Sequence, residues 1–252
     1  MKNFDFEPPR QHAILATTYA LQEVVWTHQE KQECLKVLTQ EDVDAFARQI
    51  FSRAYFECLL HGNLTKEGAL EVVDILEAKL GSRKLYDFEK LGSRAVRLLP
   101  GSAYLLDGTV IDRENTNSAL ELYFQTCHYD ELRSRCLTQL VAQCISDRFF
   151  AQLRTQQQLG YSVASGLRLL RGSCGLRFII QSLYSPEYLE LCIERYLFSE
   201  RTYFQEMELQ EFAKHVDSLV LRKLEKHKNL RQETDALWES ILSGSYDFDY
   251  GL

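Results

Sequence analysis

Nowhere among the 252 residues do 18 apolar residues follow one another, so the sequence offers no helix able to span a bilayer. The opening Met1-Lys2-Asn3-Phe4-Asp5-Phe6-Glu7-Pro8-Pro9 has no apolar stretch behind its lysine and does not read as a secretory leader. No basic block is present either. With 29 Lys and Arg against 36 Asp and Glu, the formal net charge is -7. That leaves no electrostatic footprint for nucleic acid and no attraction to an anionic membrane surface. Phosphate-cradling loops of the GxxxxGK and GxGxxG kinds are absent, and so is the GxSxG elbow of a serine hydrolase. None of the six histidines takes part in HExxH. The seven cysteines (Cys34, Cys58, Cys127, Cys136, Cys144, Cys174 and Cys192) are odd in number, and no two are spaced CxxC. They read as reduced core residues, which places the chain in a reducing compartment, the cytoplasm.

What is present has the composition of a globular protein, 45% hydrophobic and 26% charged, long enough for one large domain or two modest ones. Helical periodicity runs from Gln11 to Cys34. Thr39-Gln40-Glu41-Asp42 reads as a capping box opening a second helix to about Phe51. Ala54–Leu60 reads as a strand, and Thr65 caps a helix that Gly81 ends. Residues 81–93 carry charge, Gly and Ser without a period, which suggests a boundary. The expected division is residues 1–90 as one domain, 91–102 as linker, and 103–252 as a second domain.

The second part reads as strands at about Ala95–Leu99, Ala103–Val110 and Ala119–Thr126, then a long helix from Asp130 to Gln157. The apolar stripe of that helix is Leu132, Cys136, Leu140, Cys144 and Phe149. Strands near Gly160–Leu169 and Cys174–Leu183 follow, joined at Arg171-Gly172-Ser173. Ser185-Pro186 opens the first of three further helices. The expected class is α+β: two two-layer domains with mostly antiparallel sheets and helices packed on one face.

Two segments bear on chemistry. A zinc hydrolase needs two histidines on one helix face and a glutamate. His128-Tyr129-Asp130-Glu131-Leu132 begins as the inverted HxxEH motif does, but Leu132 stands where the second ligand must be, so the segment reads as a solvated helix start. The other is Leu153-Arg154-Thr155-Gln156-Gln157-Gln158-Leu159-Gly160-Tyr161, which leaves a helix, turns at Gly160 and enters a strand. A guanidinium at 154 and a phenol at 161 could both donate to a peptide carbonyl or to developing negative charge. The plainer alternative is an arginine complementing a helix dipole and a tyrosine packing on a strand.

The pattern L-R-T-x-x-Q-L-G-Y over 153–161 resembles the signature of the C-terminal half of the insulinase, or pitrilysin, family of zinc peptidases, in its insulin-degrading-enzyme group. The stretches Gln11-His12-Ala13, Glu23–Thr27, His61–Lys66, Glu121–Thr126, Gly175–Ser182 and Tyr246–Asp249 resemble the same half, in the family's order. The resemblance implies four related α/β domains of the LuxS/MPP-like metallopeptidase type, in two halves that close around a peptide. Zinc is then held by HxxEH and a downstream glutamate in the N-terminal half, and by nothing in the half this chain matches. The chain would cover the later part of the third domain and most of the fourth, both incomplete. Arg154 and Tyr161 match the motif and would bind substrate in support of catalysis. The implied partners are a peptide substrate and the zinc-binding N-terminal half, with a homo-oligomer left open. The alternative is a non-catalytic relative serving as a peptide-binding or scaffold subunit.

Overall fold

A computed structural model describes residues 2–90, 92, 94–110, 112 and 114–248. Asp249, which closes one of the segments quoted above, and Leu91 and Ser93 in the expected boundary lie outside them. In chain order the elements are α1 (Pro9–Leu21), α2 (His28–Val37), α3 (Gln40–Gln49), β1 (Arg53–Ala54), α4 (Lys66–Leu80), β2 (Arg83–Lys84), β3 (Ser118–Cys127) and α5 (Leu132–Phe149). A π-helical turn (Phe150–Gln156) extends α5. Then come β4 (Ser162–Leu170), β5 (Ser173–Ser182), α6 (Pro186–Glu206), α7 (Leu209–Leu224) and α8 (Leu230–Ser243). No helix of the described residues is long and apolar enough to cross a membrane.

Contacts divide the chain into two units. One is built from residues 2–25 and 94–225; the other from residues 26–92 and 226–248.

The first unit holds an antiparallel sheet in the order β3-β5-β4. The two-residue turn Arg171-Gly172 joins β4 to β5, with Gly172 at φ 93, a left-handed value that favours glycine. On one face, α5 and α6 bury the core: Ile145, Phe149 and Leu153 meet Val163, Phe178 and Ile180 from the strands, and Leu189, Ile193 and Tyr196 from α6. Phe149 stands edge-on to Tyr196, with centroids 5.1 Å apart, and tilted on Phe178 at 5.3 Å. The Tyr196 hydroxyl donates to the Ile145 carbonyl at 2.8 Å, which satisfies the one polar atom of a fully buried ring. Arg148 forks onto buried Glu200 and lies 3.7 Å from the centroid of the Tyr203 ring, tying α5 to α6.

The buried stripe of α5 is Thr138, Ala142, Ile145 and Phe149 together with Cys144. Leu132 is exposed, so the stripe expected from periodicity starts a full turn too early.

Against the opposite face of the sheet lies α1. Glu121, with 1% of its side chain exposed, pairs with Arg168 and accepts from the Thr17 hydroxyl at 2.9 Å. Arg168 in turn donates to the Thr18 hydroxyl at 2.7 Å. A buried charge is tolerated only when paired and hydrogen-bonded, and α1 supplies the Thr17 and Thr18 hydroxyls and the Ile14 carbonyl to that end.

The second unit is helical apart from a two-residue parallel pair, Arg53 with Arg83 and Ala54 with Lys84. Two of its helices, α3 and α4, start where the sequence says. Thr39 and Asp42 form the expected capping box, Thr65 caps α4, and Gly81 ends it in the left-handed conformation. An apolar groove of about 330 Å³ runs along α4, lined by Cys58, Leu60, Val73 and Leu76 among others.

Three expectations about elements are corrected. The helix from Gln11 to Cys34 is two helices, because Thr27 and Glu30 form a capping box that starts α2 afresh. Within Ala54–Leu60 only Ala54 is in a strand. The strands at Ala95–Leu99 and Ala103–Val110 do not form. Ala95 makes a single bridge to Gln22, the Val96 N–H goes to the Leu21 carbonyl, and the Gln125 side chain takes the Leu98 N–H and the Val96 carbonyl. With its backbone groups met by a side chain and a helix end, that stretch has no ladder left to make.

Candidate functional site

The junction between α5 and β4 is built from a widened helical turn. After Phe149 the helix opens: the Gln157 N–H reaches the Gln152 carbonyl at 2.9 Å, and the Leu159 N–H reaches the Leu153 carbonyl at 3.0 Å. Such π turns cost regularity and occur mostly where a helix must present particular side chains. Gln158 follows at φ 52, an uncommon conformation for a residue with a side chain. The expected turn residue, Gly160, has a different task. A Cβ there would fall 2.0 Å from the Gln181 carbonyl oxygen, so glycine is needed for β5 to pass.

The junction is nailed down from beneath. Leu153 and Leu159, on its two sides, are buried in the core. The Ser182 hydroxyl at the end of β5 donates to the Leu159 carbonyl. Between these anchors the chain presents Arg154 and Tyr161 outward. Arg154 is half-buried, and Tyr161 is 89% exposed. The Arg154 guanidinium carbon lies 5.8 Å from the centroid of the Tyr161 ring, within cation–π range. Two residues seven apart in sequence thus share one surface. Among the described residues neither side chain has a hydrogen-bond or ion-pair partner, so five guanidinium N–H groups and one phenol are free to serve a ligand.

Sequence reasoning missed one residue that supports the junction. Arg10, near the start of α1, donates from its side chain to the Ser162 hydroxyl at 3.0 Å, and its backbone N–H donates to the Gln181 side chain at 3.1 Å. It therefore braces the start of β4, one residue beyond Tyr161. No local pattern could have shown this, since Arg10 and Ser162 are 152 residues apart.

His128 and Glu131 form the beginning of a helix. Glu131 accepts from the His128 backbone N–H at 3.2 Å and precedes the first residue of α5. The His128 Nδ1 is 3.4 Å from Asp130. The donor set does not fit zinc: Glu131 is engaged with the backbone, Leu132 offers no lone pair, and no three His, Cys, Asp or Glu among the described residues gather around one point.

Residues 140–238, which run from α5 through the site to α8, match the family model described as PQQ synthase PqqF-like, C-terminal lobe domain 4. Human insulin-degrading enzyme is 35% identical over 253 residues, 99% of this chain and 24% of that protein. The A-factor-processing enzyme of Saccharomyces cerevisiae is 31% identical over 99% of this chain and 24% of its own length. The crystal structure of pitrilysin superposes with a TM-score of 0.76 at 23% identity, over 96% of this chain and 25% of that one. The chain thus spans about a quarter of the length of the relatives it matches. Similarity of this extent, along almost the whole sequence and in fold, means that the chain belongs to the insulinase, or pitrilysin, family of zinc metallopeptidases.

Proposed function

We propose that the chain is the C-terminal, substrate-enclosing part of an insulin-degrading-enzyme-like zinc metalloendopeptidase, in which Arg154 and Tyr161 hold and polarise the peptide to be cut. The observation that carries this is the pairing of the two side chains at 5.8 Å on a junction locked by Leu153, Leu159 and Gly160. Preorganised donors aimed at a carbonyl oxygen stabilise the charge that develops there without having to reorganise. The guanidinium supplies a permanent charge and a fork of donors, and the phenol a single neutral donor.

In this reading zinc, with the residues that bind it and move the proton, comes from the N-terminal half of the enzyme. The same reading makes the chain inactive alone, with a peptide and the zinc-binding half of the same enzyme as its partners. Residues 1–90 belong in this reading to the third family domain and 103–252 to the fourth, which the match over 140–238 supports. Residues 2–25 nonetheless share a unit with the latter. A cytoplasmic setting fits seven free cysteines.

In the complete enzyme, Arg154→Ala and Tyr161→Phe are each expected to lower peptide turnover with zinc content intact. Loss of one such donor costs roughly 2.7–4 kcal/mol of barrier where it acts on the transition state, and the lower end applies here because an arginine also anchors the ground state. Unchanged turnover in both variants overturns the assignment. The chain alone, given zinc and a fluorogenic peptide, is expected to show no chelator-sensitive cleavage.

A further inference from the structure

Near its end β3 carries one extra residue, Thr126: the register passes from Gln125 opposite Gly175 to Cys127 opposite Cys174. The bulge makes two cysteines direct cross-strand partners. Residues opposite each other in an antiparallel ladder project to the same face with Cα atoms about 4.5–5.5 Å apart, inside the ~4.4–6.8 Å window that a disulfide requires. Both thiols are free. The Thr126 hydroxyl holds the bulge in place by donating to the Cys174 carbonyl at 3.0 Å, and it lies 3.8 Å from the Cys127 sulfur.

The two sulfurs are not equivalent. Cys174 is fully buried, and burial, with the neighbouring Cys127 adding to it, pushes its thiol up to about 11. Cys127 is partly exposed. An accessible thiol backed by a buried one is the arrangement of an attacking and a resolving cysteine.

We propose that Cys127 and Cys174 form a redox-modification site, a dithiol that closes to a disulfide on reaction with a low-molecular-weight disulfide such as oxidised glutathione. The Cys127 sulfur, as thiolate, attacks one sulfur of the small disulfide, whose S–S bond breaks, and one thiol leaves with a proton. Capping Cys127 removes the charge that opposed ionisation of Cys174. The Cys174 thiol then gives up its proton, and its sulfur attacks Cys127, expelling the second thiol. Two protein thiols are oxidised and one disulfide is reduced to two thiols. The loop so closed contains α5, the π turn and the Arg154–Tyr161 pair.

The test is a peptide map of the full chain after equilibration in glutathione buffers of rising oxidation, acid quench and alkylation. The expected product is a Cys127–Cys174 linked peptide pair, two hydrogens lighter than the sum of its parts. Cys174→Ser is expected to trap a glutathione adduct on Cys127, and Cys127→Ser to leave Cys174 unmodified. Full alkylation of both cysteines at every ratio overturns the proposal. So does a glutathione adduct that persists on Cys127 beside a free Cys174, or pairing of either with another cysteine. The wild-type map decides alone if a serine variant does not fold.

Discussion

Gly160 and Gly166 lie six residues apart, yet they face opposite environments. A Cβ on Gly160 would press on the Gln181 carbonyl, a backbone atom of the central strand that cannot rotate away, whereas a Cβ on Gly166 would meet nothing within 4 Å. Gly160→Ala is therefore expected to cost about 1–3 kcal/mol, lowering the thermal midpoint by roughly 2–4 °C per kcal/mol. Gly166→Ala should leave the midpoint nearly unchanged. Equal midpoints for the two variants would mean that the close approach is not a constraint. The site was half legible at this scale. Arg154 and Tyr161 stand in a recognisable run, but the π turn, the left-handed Gln158 and the brace from Arg10 have no signature in a linear reading. Each depends on what the fold places behind or beside the residue.

Among the elements, the clip that closes the short parallel pair offers a titration. The Glu89 carboxylate accepts from Arg83 and from the Tyr86 N–H, with Arg53 also 3.2 Å away, and these hold it at about 2, well below its ordinary 4.5. A depressed folded value means that the clip's contribution to stability is complete above pH 4.5 and is lost as the pH falls toward 2. A carbon-detected NMR titration of Glu89 should give a midpoint near 2, moving up in Arg83→Ala. A wild-type midpoint near 4.5 would remove the clip from the account. Ends of elements were the part of the fold best read from sequence: Thr39, Thr65, Gly81, Ser185 and the turn at Arg171-Gly172 all act as their residue types require. Strands were read worse. The stretches 95–99 and 103–110 were read as strands, but only a neighbour with free N–H and C=O groups makes an extended chain a strand.

For the molecule as a whole, the two units differ in how much they bury. Seven of the ten residues of β5 are buried, and α5 and α6 bury five each, whereas α2, α3 and α4 bury none. Hydrogen exchange should therefore be slowest in β5 and the core-facing turns of α5 and α6, and fast throughout 28–80. Equal protection in both units would contradict this. The buried pair of Glu121 and Arg168 adds a matter of timing. Thr17 waits for Glu121, 104 residues later, and Thr18 waits for Arg168, 150 residues later. At about 5–20 residues per second of synthesis, α1 leaves the ribosome roughly 8–30 s before the last of its partners exists. Throughout that interval Thr17 and Thr18 lack the partners they meet in the fold, and α1 docks on the sheet only after β4 has been made.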